Sequence, residues 1–124
     1  MPTQAVNLYT SDVTIAAGGT YTTDSREFDV SDVDTVAIQI RATGDNAASA
    51  GKVQAKIVAR VNDVYSTEIF DIVEVNLNGT AQVVSPPFLL NVRGVMSLKV
   101  TEIVNTDATY GVSGVNVVIG KTII

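Results

Sequence analysis

The stretch SREFDVSDVDTVAIQIRA, residues 25–42, decides the fold, because from Val36 to Arg41 a large aliphatic side chain occupies every second position. Val36, Ile38 and Ile40 turn one way while Ala37, Gln39 and Arg41 turn the other, the period of a strand with one face in a core. The same order of residue types returns in SPPFLLNVRGVMSLKVTE, residues 85–102. There Met96, Leu98 and Val100 are expected to point inward, and Ser97, Lys99 and Thr101 outward. A third run, 53–61, sets Val53, Ala55, Ile57, Ala59 and Val61 against Gln54, Lys56, Val58 and Arg60. A fourth passes through Val115, Val117 and Ile119.

Turn formers separate these runs: AAGG at 16–19, TGDN at 43–46, LNG at 77–79, SPP at 85–87 and NTDAT at 105–109. No window keeps a helical period, and Val, Ile and Thr, which suit a pleated surface, abound. Short strands at regular spacing predict an all-β chain, an antiparallel β-sandwich of jelly-roll type with about eight strands.

Set against the residue sixty later, Val13 meets Val73, Gly19 meets Gly79, Thr20 meets Thr80, Ser25 meets Ser85, Phe28 meets Phe88, Ile38 meets Leu98, Ile57 meets Val117 and Val58 meets Val118, with no gap. Identities between 12–61 and 72–121 number eight of fifty, so the shared apolar register is the stronger observation. A slip of one residue would turn every inward side chain outward. Two pseudo-repeated halves are expected, neither able to bury its face alone, with Phe28 and Phe88 as equivalent buried anchors.

The chain has 124 residues, one domain's worth, with 46% hydrophobic and 17% charged residues, well outside the disordered regime. Residues 1–11 read as an N-terminal arm and 12–124 as a single sandwich domain. No apolar run approaches the roughly 18 residues that span a bilayer, so no membrane partner is expected. The opening MPTQAVNLYTSD has neither the basic start nor the apolar centre of a secretory signal, which predicts synthesis in the host cytoplasm without a signal peptide. A net charge of −5 argues against nucleic acid as a partner.

His, Cys and Trp are absent, which removes the usual general base, the thiol nucleophile and the ligands of structural zinc. No enzyme and no cofactor are expected. Asp24, Glu27, Asp29, Asp32 and Asp34 crowd one segment whose carboxylates could hold Ca²⁺ in a loop, but the spacing is not that of an EF-hand, acidic loop residues are usually just solvated, and no metal site is assigned. Lys52, Lys56 and Arg60, four apart in one strand, share a face and form a candidate docking stripe, which Arg41 would lengthen from an adjacent strand. Tyr9, Tyr21, Tyr65 and Tyr110 are candidate platforms for sugar rings. The chain closes on Ile123 and Ile124, apolar side chains expected to be covered by an edge strand or a neighbour.

The succession TIAAGGTYTTDSREFDVSDVDTVAIQIRAT, followed by NLNGTAQVVSPPFLLNVRGVMSLKVT, resembles the small β-sandwich accessory proteins of tailed bacteriophages, in particular capsid decoration (cement) proteins. The resemblance implies a non-enzymatic virion component, often a homotrimer, that binds the major capsid protein or another virion protein on the outside of the shell. The alternative is a carbohydrate- or receptor-binding sandwich of a phage fibre or baseplate.

Overall fold

The computed structural model describes residues 3–7, 13–22 and 27–122, and these described residues form eleven strands and no helix. They are β1 (Thr3–Asn7), β2 (Val13–Ile15), β3 (Thr20–Thr22), β4 (Glu27–Asp29), β5 (Thr35–Gly44), β6 (Lys52–Arg60), β7 (Asp71–Asn76), β8 (Gln82–Val84), β9 (Phe88–Asn91), β10 (Ser97–Asn105) and β11 (Val112–Thr122). The alternating stretch 36–41 lies in β5, where Val36, Ile38, Ile40 and Ala42 are buried and the residues between them are half-exposed.

One sheet runs β1–β11–β5–β8, with β2 sharing the β1 side of β11 and β9 sharing the β8 side of β5. The other runs β3–β10–β6–β7, with β4 sharing the β3 side of β10. Every pairing is antiparallel. Short strands that share an edge reduce to eight positions, ordered 1-8-3-6 in one sheet and 2-7-4-5 in the other, the order of a jelly roll.

Advancing each position of the first sheet by four, and counting on from eight to one, generates the second, so this topology maps onto itself when the two halves exchange. The residue offset then follows from equal spacing in the halves. Phe28 pairs with Leu98, and Phe88 pairs with Ile38. Arg60 with Ser97 and Ile57 with Val100 become Gly120 with Ala37 and Val117 with Ile40. Val13 with Val115 becomes Val73 with Ala55. The match slips past two irregularities, between Val100 and Glu102 in β10 and between Ser113 and Asn116 in β11. At the second, Gly114 has φ +58°, a left-handed conformation that glycine adopts without strain.

The core lies between the sheets, where Ile38, Ile40, Ile57, Leu98, Ile103 and Ile119 are fully buried. Each such side chain contributes about 1.5–3 kcal/mol relative to exposure. Thr3–Asn7, within the stretch read as an arm, lie along β11 of the same chain. Ile123 and Ile124 fall outside the described residues.

Four side chains depart from the alternation. Met96 is 39% exposed, not inward, because β10 begins at Ser97 and only the Met96 backbone is tied down, its N–H donating to Arg60 O and its carbonyl accepting from Val30 N. Val61 is 70% exposed because β6 ends at Arg60 and the chain turns away. Val58 is buried on the outer face, where its cross-strand neighbour Lys99 reaches the Tyr65 ring of the following loop. Phe88 occupies the register of Phe28 but is only partly buried, since the sheet edges part beside it into a groove.

Truncation should expose that last difference. Phe28→Ala is expected to lose about 3–5 kcal/mol in urea unfolding, as large aromatic deletions from cores do, and Phe88→Ala distinctly less. Equal losses would mean that the two rings are equally embedded.

Candidate interaction surface

The outer face of the β3–β10–β6–β7 sheet carries the stripe expected from sequence. Lys52, Lys56 and Arg60 project from β6 on one side, and each meets a carboxylate on a neighbouring strand. Lys52 Nζ lies 2.8 Å from Glu74 Oε2 on β7, Lys56 Nζ 3.1 Å from Glu102 Oε1 on β10, and Arg60 Nε 3.2 Å from Glu27 Oε1 on β4. Exposed pairs of this kind contribute only about 0.2–1 kcal/mol each. Their effect is on pattern: the face presents alternating charge instead of a uniformly positive strip. Arg41 does not lengthen the stripe, because β5 belongs to the other sheet.

Arg60 also organises the chain beyond it. Its Nη1 donates to Asn62 O at 2.8 Å, its backbone bridges to Tyr65, and the Tyr65 ring lies under Lys99 Nζ at 4.2 Å. Burial first, then the neighbouring Glu27 carboxylate, push the Tyr65 phenol above its usual pKa. Asn62 Oδ1 accepts from Val64 N, Ser66 N donates to Ala59 O, and Phe70 N donates to Ile57 O at 2.7 Å. The segment 61–70 is therefore a pinned loop. It nevertheless exposes Val61 (70%), Val64 (72%), Ile69 and Phe70, with Asp63, Glu68 and Asp71 exposed among them. The sequence reading missed this loop. Its signal is an apolar-rich stretch, VNDVYSTEIF, in which no two-residue period puts the apolar positions on one side.

The outer face of the β1–β11–β5–β8 sheet differs. At the positions matching Arg60 and Ser97 stand Gly120 and Ala37, next to an exposed Leu89 (73%) on β9, and Val84 (53%) lies opposite Arg41. Between β7 and β8–β9 runs an open groove of about 470 Å³ lined by Glu74, Asn76, Val83, Val84, Ser85 and Phe88 among others. The described tyrosines are dispersed: Tyr21 packs on the core, Tyr65 sits under Lys99, and Tyr110 belongs to the β10–β11 loop. Tyr9 lies outside the described residues.

The acidic segment is used internally. Asp29 Oδ1 accepts from the Ser31 hydroxyl and amide, which hold its carboxyl below the usual range. Asp32 is 3.0 Å from Lys121 Nζ, and Asp24 lies outside the described residues. Among the described residues no three metal-capable side chains come together, and no helix is long and apolar enough to cross a membrane.

One end of the sandwich is closed by polar ties. Buried Asn105 donates through Nδ2 to Ala16 O and Tyr110 O and accepts at Oδ1 from Asp107 N. Asp107 accepts from Ala50 N, Thr109 N and Tyr110 N, and its carbonyl accepts from Gly18 N at 2.7 Å. A Cβ added to Gly44 would stand 2.1 Å from Gly79 O, so the loops here also approach too closely for any side chain at that position.

These observations define an all-β jelly-roll sandwich whose distinctive features are surfaces. No protein-family model and no curated protein sequence matches the chain. Solved structures similar in fold include the VP2 subviral particle of infectious bursal disease virus, at 13% identity and a TM-score of 0.52. Structures of the Gt and Gx strains of that virus match at 11% and 12% identity, each with a TM-score of 0.53. All three alignments cover 96% of this chain and 32% of the other, so the chain spans about a third of the length of the proteins it matches.

The Asp107 knot predicts acid sensitivity. The Ala50, Thr109 and Tyr110 amides lower the Asp107 pKa from its ordinary 3.8. A carboxyl depressed in the folded state adds stability that is fully present above the unfolded value and is lost as pH falls through the folded one. Urea midpoints should therefore drop as pH falls below about 4, and Asp107→Asn should flatten that drop while lowering stability at neutral pH. An unchanged profile in the variant would assign the acid sensitivity to other carboxyls.

Proposed function

We propose that the protein is a non-enzymatic structural component of a virus particle and, within that class, a decoration protein that binds the outer surface of a tailed-phage capsid as a homotrimer. The observation that carries this reading is the fold likeness to virus-particle proteins over 96% of the chain. A surface with patterned charge and a pinned apolar loop suits a protein that works by contact.

On this reading Lys52, Lys56 and Arg60 belong to the shell-facing surface, together with the chain end at Ile123 and Ile124. Since each cation is already matched by Glu74, Glu102 or Glu27, the face would recognise a complementary alternating pattern and fix register more than supply net attraction. The groove beside Phe88 supports a second reading, a carbohydrate- or receptor-binding module. An aromatic edge with Glu74, Asn76 and Ser85 around it offers stacking and hydrogen bonds to a sugar ring.

Cosedimentation with capsids lacking the protein distinguishes the two. Saturable binding that weakens at least tenfold when Lys52, Lys56 and Arg60 are all changed to Glu is the expected result. No capsid binding, with retention on a polysaccharide that Phe88→Ala abolishes, would replace the first reading with the second.

A further inference from the structure

We infer that the pinned loop 61–70 of one copy docks onto the outer face of the β1–β11–β5–β8 sheet of a second copy, a head-to-tail contact that closes into a ring. The inference rests on the oligomeric part of the proposed function and supplies its interface.

Two surfaces of the chain fit one another. The loop presents Val61, Val64, Ile69 and Phe70 to solvent and carries Asp63, Glu68 and the adjoining Asp71 without a Lys or Arg. The sheet face presents Leu89 and Val84 beside small Ala37 and Gly120; its cation is Arg41, and exposed Arg93 stands in the turn just beyond β9. Among the described residues neither arginine makes an ion pair, although Lys52, Lys56 and Arg60 on the opposite sheet face do. An acidic apolar projection thus has, on the same molecule, a small-residue apolar face to receive it, with one unmatched cation on that face and another just beyond β9.

Geometry forbids the loop from reaching that face within one copy. The loop leaves β6 and enters β7 in one sheet, and the receiving face is the outside of the other. Two different patches on opposite sides of a molecule make a heterologous contact, which propagates from copy to copy and ends only by closing a ring or running on as a filament. The loop is also fixed before binding, by the Arg60–Tyr65 bridge, the Lys99 contact and the Ser66 and Phe70 backbone bonds, so little ordering is needed on association.

The test uses the full chain, light scattering over a concentration series, and two variants, Val64→Asp in the loop and Leu89→Asp on the face. Both positions are solvent-exposed, and circular dichroism and urea melts should match the parent. The parent is expected to assemble into a closed ring, and each variant alone to associate at least tenfold more weakly. Mixed, the two variants should form a one-to-one dimer and nothing larger, because one intact loop meets one intact face. A monomeric parent, variants that assemble like the parent, or a mixture without dimer would each overturn the inference. Capsid cosedimentation of the parent separates this outcome from the role itself: a monomeric parent that still binds shells overturns only the interface, and a parent ring that ignores shells overturns only the role.

Discussion

Everything in this fold depends on the pairing of each half's long strand with strands of the other half. β5 lies between β11 and β9, and β10 lies between β6 and β4, so neither sheet can be completed from one half of the chain. Backbone groups in a strand interior need partners, and burying them without any costs more than most side-chain contacts return. The inward rows of Val, Ile and Leu then have one arrangement that keeps them all dry, and a one-residue slip in either sheet would expose a complete row.

That constraint also accounts for the contrast between the two outer faces. Inside, both halves answer to the same core and keep the same register. Outside, nothing enforces the match, and the faces diverge: Lys56 and Arg60 on β6 correspond to Asn116 and Gly120 on β11. One face is laced with ion pairs, and the other is largely apolar with Arg41 left unpaired by any carboxylate among the described residues. A sandwich with two unlike sides has the asymmetry that directional contacts require.

The core was legible in the sequence because burial in a sandwich imposes a period of two, and β5, β6 and β10 keep it over most of their length. The offset of sixty was legible for the same reason. Elsewhere the pattern fails where strands end: Met96 and Val61 lie one residue beyond β10 and β6, where alternation no longer implies a face. The partners of the basic stripe were not legible either, because Glu74, Glu102 and Glu27 are remote in sequence and reach β6 only through pairing. Loop 61–70 stayed hidden because its fixing contacts, Arg60 with Tyr65 and Lys99 with the ring, join residues that no local spacing connects.

The interleaving of the halves has a kinetic side. Native contacts join distant parts of the chain, so loop-closure entropy must be lost before most of the burial is gained, and folding belongs to the slow, non-local class. Until β11 settles beside β5, the half that emerges first holds an unpaired strand edge. During that interval the chain is open to pairing with the edge of another chain, and intermolecular misassembly competes with the native closure.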